Sequence, residues 1–323
     1  MKSKAIALLA ALAVVVLAMA NPLRADTFGG GANTFTIDFV PVGNAGNAAD
    51  TTGYGGVPYS YRMGTYETSQ DQVDKATASG LTNVPGGPWT GNQPATYMSW
   101  YAAAAFVNWL NTSTGHQAAY NLTYNGGWSM NLWSSGEAWQ AGGENLFRNK
   151  DAFYFLPSED EWYKAAYQMN DGVTANYWEY ATGSDTPPTA VASGTGAGTA
   201  VYNHVANQPA AVDNAGSLSP YGTMGQGGNV LEWTESVYRP PNDSSSKFRV
   251  VVGGIWYSDA SWLLSSTRYG SDPTDSGGSD LGFRVASVPE PTTAGLLLLV
   301  GAGWMFWTHR FRRITGTVEQ MPR

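Results

Sequence analysis

Two apolar stretches, Ala5 to Ala18 and Thr292 to Trp307, bracket about 260 residues that contain no cysteine. That arrangement constrains the fold more than any other feature. The central region must hold itself together by burying a core, because neither a disulfide nor a thiolate metal site is available to it. A region of this length can supply such a core, as one large domain or two small ones. No internal repeat, charge block or long linker divides it, so a single domain over 26–287 is expected.

The N-terminal stretch has the three parts of a secretory signal. Lys2 and Lys4 precede the apolar run, and Ala18 and Ala20 then provide the small-x-small spacing that signal peptidase reads. Cleavage after Ala20 or after Ala25 both fit, and residues 1–25 are assigned to the signal.

At the other end Pro289-Glu290-Pro291 stands before the apolar run, and His309, Arg310, Arg312 and Arg313 stand after it. About 16 helical residues at a rise of about 1.5 Å span roughly 24 Å, a little short of a bilayer core of about 30 Å. The basic cluster would remain on the cytoplasmic side, with 314–323 as a short tail and the domain outside. Pro-Glu-Pro, a short helix and a basic tail over 288–313 resemble the PEP-CTERM sorting signal. The resemblance implies an exosortase-type partner, a membrane anchor before processing, and a place at the surface or in the matrix of a Gram-negative-type bacterium.

The formal charge is −8. The segments outside 26–289 carry seven Lys/Arg (Lys2, Lys4, Arg24, Arg310, Arg312, Arg313, Arg323) against two Glu (Glu290, Glu319). Removing that net +5 leaves about −13 for the domain, an acidic balance that argues against a nucleic-acid partner.

Within the domain, Phe35 to Val40 alternates apolar and polar as a half-buried strand does, and Tyr59 to Gly64 reads as a second strand. Thr68 or Ser69 caps a short helix running to about Ala78. A helix beginning at Ser99 carries Ala103, Phe106, Val107 and Leu110 on one face. Another opens at Pro157-Ser158-Glu159-Asp160-Glu161, where Ser158 and Glu161 have capping-box spacing and the acids suit the helix dipole. Short strands are expected at Val230–Trp233, Phe248–Val252 and Phe283–Val285. Asp26 to Asn33 reads as a loose Gly-rich start, and Thr182 to Gly198 as an exposed loop. The whole reads as α+β with little regular structure.

Six segments, in order, resemble the formylglycine-generating, or sulfatase-modifying-factor, family. They are Arg62 to Thr68 (RMGTYET), Pro94 to Ala104 (PATYMSWYAAA), Leu156 to Trp162 (LPSEDEW), Gly227 to Trp233 (GGNVLEW), Gly253 to Trp256 (GGIW) and Leu281 to Arg284 (LGFR). The resemblance runs from about Ile37 to Ala286 and implies a C-type-lectin-like fold. It also implies an oxidase chemistry in which two cysteine thiolates hold copper. Those positions fall near Ala260 and Ser265, which offer no soft ligand, so copper is not expected. A related branch uses histidine-ligated iron, and here only His116 and His204 lie within the domain, His309 being in the basic tail. The resemblance further implies a structural calcium held by the carbonyls of Gly228 and Val230 and the carboxylate of Glu232. Gly225 stands at a further ligand position, and pairing of Glu232 with Arg284 is the competing reading. A second calcium site, near Asn203, finds no partners.

Other groupings carry less. Glu159, Asp160 and Glu161 are consecutive and point apart on a helix. Gly53-Tyr54-Gly55-Gly56 lacks the lysine of a phosphate loop. Asp272, Asp275 and Asp280 read as a solvated loop. The lost thiolates, the acidic balance and the many tryptophans point to a non-catalytic binding or structural module, with extracellular polysaccharide as the partner to expect. Trp89, Trp100, Trp128, Trp133, Trp139, Trp178 and Trp256 are the candidate stacking faces. The alternative is an oxidoreductase of the same family with a non-cysteine metal site.

Overall fold

The computed structural model describes residues 24–289. Two sheets and three helices organise them. The larger sheet contains β1 (Arg24–Phe28), β2 (Phe35–Val42), β3 (Tyr61–Gly64), β8 (Tyr154–Phe155) and β15 (Ala286–Ser287), in the order β1-β2-β3-β15-β8. In β2 the residues Phe35, Ile37, Phe39, Val40 and Val42 are buried and those between them exposed, the alternation its sequence predicts. The smaller sheet contains β11 (Leu231–Val237), β12 (Arg249–Val252), β13 (Tyr269–Ser271) and β14 (Leu281–Phe283), in the order β13-β12-β11-β14.

Three two-stranded ribbons lie outside these sheets. They are β4 (Asn121–Tyr124) with β5 (Trp128–Asn131), β6 (Ala138–Trp139) with β7 (Asn145–Asn149), and the parallel pair β9 (Thr189–Ala190) with β10 (Thr199–Ala200). Each helix starts at the serine the sequence marks. Ser69 caps α1 (Gln70–Ala78), Ser99 caps α2 (Trp100–Ser113) and Ser158 caps α3 (Glu159–Tyr167). In α3 the Ser158 hydroxyl accepts from the Glu161 amide while the Glu161 carboxylate accepts from the Ser158 amide at 2.6 Å, a complete capping box. Helix α2 is buried almost all round and packs against β8. Leu23–Val288 forms one compact unit with a continuous apolar core.

Four expectations change. Asp26 to Asn33 is not a loose start: β1 pairs antiparallel with β2, and Asp26 accepts from Arg62 and from the Tyr154 hydroxyl at 2.8 Å. Thr182–Gly198 contains β9, which β10 pairs in parallel. The strand expected over Phe283–Val285 is instead the end of one strand and the turn that leads to another in a different sheet. β14 runs parallel to β11, the chain turns through buried Arg284 and Val285, and β15 then inserts between β3 and β8. The fourth change concerns Trp100, which is fully enclosed and donates its indole N–H to the Thr234 carbonyl, so it offers no stacking face.

Among the described residues no helix is long and apolar enough to cross a membrane. The apolar run expected to be part of a signal, Ala5 to Ala18, and Glu290, Pro291, Arg310, Arg312, Arg313 and the tail lie outside the described residues, and Pro289 is exposed at their edge.

Candidate functional site

The Gly227–Trp233 segment turns into β11 through two residues of positive φ, Gly228 and Asn229. A Cβ on Gly228 would stand 2.3 Å from the Val201 carbonyl oxygen, so only glycine fits there. Asn229 holds the turn from its side chain. Its Oδ1 accepts from the Ala210 amide at 2.8 Å and its Nδ2 donates to Glu67 Oε2 at 2.6 Å. The other Glu67 oxygen accepts from the Val230 amide. A Cβ on Gly225 would lie 3.0 Å from that same carboxylate, which accounts for glycine where the family resemblance places a ligand. Burial, the nearby Glu232 charge and only partial relief from Arg284 and Asn229 hold the Glu67 pKa well above the carboxylate range.

Glu232 itself is fully engaged. Arg284 Nε and Nη2 each donate to one of its oxygens at 2.6 Å, and the Trp162 indole adds a bond of 2.7 Å to Oε2. Both partners of this pair are fully buried. The carboxylate therefore has the geometry of the arginine pairing. The donor set at Gly228, Val230 and Glu232 does not fit a calcium ion unless Arg284 first withdraws.

The positions aligned with the copper thiolates lie on a short 3₁₀ turn and just beyond it. Ala260 opens the turn that Asp259 caps, and the Ser265 amide donates to the Glu179 carbonyl. His116 stacks on Phe153 at 4.7 Å, and His204 lies against Trp256 and Tyr257. Among the described residues no three His, Cys, Asp or Glu side chains converge as metal ligands. Asp272 and Asp275 are tied to their own loop, and Asp280 accepts from the Tyr257 hydroxyl.

The three consecutive acids on α3 diverge as expected. Glu159 pairs with Arg268, Glu161 turns inward, and Asp160 faces a cleft of about 320 Å³. Tyr54, Tyr59 and Trp139 form apolar parts of the cleft wall, and Glu144, Asn145, Asp160 and Asn242 add polar groups.

A buried ionic network makes its floor. The Arg148 guanidinium donates to both oxygens of Glu161, at 3.0 and 2.6 Å, and its Nε donates to both oxygens of Glu235, at 3.0 and 3.1 Å. It also stacks 3.6 Å from the Phe155 ring centroid. The Tyr59 hydroxyl donates to Glu161, and the Tyr120 hydroxyl to Glu235. Arg249, sandwiched between Phe147 and Trp100, donates to the Glu235 carbonyl. Two guanidiniums thus accompany two carboxylates.

Burial pushes Glu161 up, but Arg148 beside it outweighs that and holds its pKa below the usual range. For Glu235 burial prevails over the same arginine and the pKa rises. Burial brings Arg249 down to about 10. Neither the cleft nor Glu67 was singled out by sequence reasoning. The only signal for Glu67 was its place in the RMGTYET segment.

A model of the sulfatase-modifying factor enzyme 1-like domain matches residues 30–288. Treponema denticola variable protein 1 is a similar solved structure, with 19% identity, a TM-score of 0.57, and coverage of 83% of this chain and 100% of that one. CarF is similar at 22% identity and a TM-score of 0.57, over 79% of this chain and 99% of that one. PvdO from Pseudomonas aeruginosa is 15% identical with a TM-score of 0.50, over 84% of this chain and 100% of that one. At these identities the likeness is one of fold. No curated protein sequence matches the chain. The extent of the family match, together with a mixed α/β domain of the same fold as these structures, places this chain in the sulfatase-modifying factor enzyme 1-like family.

Proposed function

We propose that the chain is an exported, surface-sorted protein whose domain binds extracellular polysaccharide in the aromatic cleft and has no oxidase activity. The cleft carries this reading. Tyr59 and Trp139 meet edge to face at 5.5 Å on one side of an open trough, with amide and carboxylate groups beside them. Aromatic faces flanked by hydrogen-bonding groups suit a sugar ring, which has an apolar face and a polar rim. The absence of cysteine supports the second half of the proposal, since a family copper site needs two thiolates. The apolar ends support export, with Pro289-Glu290-Pro291 and the Arg310, Arg312 and Arg313 cluster as the sorting signal read by an exosortase-type partner.

The test is titration of the full-length chain with oligosaccharides, beside the Trp139→Ala variant. Binding that weakens on the order of tenfold in that variant is expected, the loss of one good stacking contact. Retention of no glycan, or equal binding by the variant, sinks the polysaccharide reading. Elemental mass spectrometry on the same sample addresses the oxidase alternative, since stoichiometric copper or iron would restore it.

A further inference from the structure

The charged groups that line the cleft are not equally available. Arg148 is spent on Glu161 and Glu235, and Glu159 is spent on Arg268. Among the described residues no lysine lines the cleft. Two carboxylates remain without a cation. Asp160 accepts one bond, from the Gly55 amide to Oδ1, and its Oδ2 receives no donor from the described residues. Glu144 is exposed and accepts from the Ser135 hydroxyl.

A third acceptor points the same way. Asn242 Oδ1 is buried at the cleft, and no described group donates to it, while its Nδ2 reaches Asn145. A buried acceptor left unpaired costs free energy, and a small turn of the Asn242 side chain toward the cleft would let a ligand donor recover it. The trough therefore offers acceptors and negative charge beside aromatic rings, and it has no unspent cation with which to hold a carboxylate, sulfate or phosphate.

Resting on the polysaccharide reading above, we infer that the cleft selects a glycan bearing free protonated amines, an amino sugar without its acyl group, over neutral and acidic glycans. The ammonium would sit between Asp160 and Glu144, the ring against Trp139 and Tyr59, and a ligand hydroxyl or N–H would satisfy Asn242. Uronate-containing chains are rejected by the same carboxylates, an example of specificity set by repulsion as much as by attraction. A lysine-rich peptide shares the charge but has no ring to lay against the aromatic faces.

The experiment titrates the full-length chain with oligomers of glucosamine, of N-acetylglucosamine and of a uronic acid, and with tetralysine. The first two differ by the acetyl group and by the charge it removes. The glucosamine oligomer should bind about tenfold or more tightly than its acetylated counterpart, and added salt should narrow the gap. The uronate should not bind. Asp160→Asn and Glu144→Gln should each reduce the advantage several-fold, weakening the amine oligomer more than its acetylated counterpart. Should Asp160→Asn fail to fold, the exposed Glu144→Gln change alone still reports the charge effect.

Equal affinity for the amine and acetylated oligomers overturns the charge selection and leaves glycan binding standing. Binding of tetralysine without any glycan overturns both, as does binding of no oligomer at all.

Discussion

Arg284 and Glu232 face each other as a bidentate pair, with both bonds at 2.6 Å and neither side chain exposed to solvent. The pair joins the two sheets. Glu232 lies on β11, while Arg284 occupies the turn between β14 and β15 and also donates to the Gly64 and Met224 carbonyls. Removing one partner would leave the other charge buried and unpaired. Arg284→Ala should therefore cost about 3–5 kcal/mol in urea unfolding. Arg284→Lys should recover only part of that, because an ammonium cannot reproduce the planar fork. A loss below about 1 kcal/mol for the alanine variant would show that the pair does not hold the sheets together.

The same pairing makes a prediction about calcium. With both Glu232 oxygens bonded to Arg284 and Trp162, removal of calcium by a chelator should leave Tm unchanged. An ion bound at a hundred times its Kd would contribute about 2.7 kcal/mol, and its removal would lower Tm by several degrees. Thermal melts with and without chelator separate the two, and a fall of that size would reinstate Gly228, Val230 and Glu232 as ligands.

Glu67 sets a pH dependence of definite sign. Burial raises its folded pKa well above the ordinary value of 4.5. The folded state thus keeps a proton that the unfolded chain releases. That stabilising contribution is complete below about pH 4.5 and is lost as pH rises through the folded pKa. Glu67→Gln removes the charge, so it should flatten this decline, although its amide must face one of the two donors that Asn229 and Val230 supply. Urea midpoints measured from pH 4.5 upward check it, and parallel curves for the two proteins would contradict it.

At the N-terminus, Arg24 and Ala25 already pair with Phe39 and Asp38, and Asp26 holds Arg62 and Tyr154. Cleavage after Ala20 leaves β1 whole, whereas cleavage after Ala25 shortens it. For a chain exported as proposed, N-terminal sequencing should therefore begin at Asn21. Asp26→Ala should cost about 1–3 kcal/mol, the penalty for leaving Arg62 and Tyr154 without this acceptor. A mature protein starting at Asp26 would refute the first statement, and undiminished stability of Asp26→Ala in urea unfolding would refute the second.

Local chemistry was legible wherever a few neighbouring residues decide the outcome. Ser69, Ser99 and Ser158 mark their helices because capping is a contact within one turn. The strand at Phe35 is readable because burial alternates along it. The ribbons β4–β5 and β6–β7 were not foreseen, since strands of two to five residues are too short for a period to stand out. Phe283 to Val285 reads as one strand, and nothing local shows that the chain leaves one sheet at Phe283 and enters the other at Ala286.

By itself, then, the sequence determined the helix starts, the absence of thiolate chemistry, the acidic balance and the family, because each rests on residue identity or on short-range spacing. Tertiary structure alone decided how the acids are used. Glu161 meets Arg148 from 13 positions away, Glu235 meets it from 87, and Glu232 meets Arg284 across 52. Which carboxylates are neutralised in the core, and which remain free in a cleft, depends on where the chain returns in space. Composition counts those charges, but only folding pairs them.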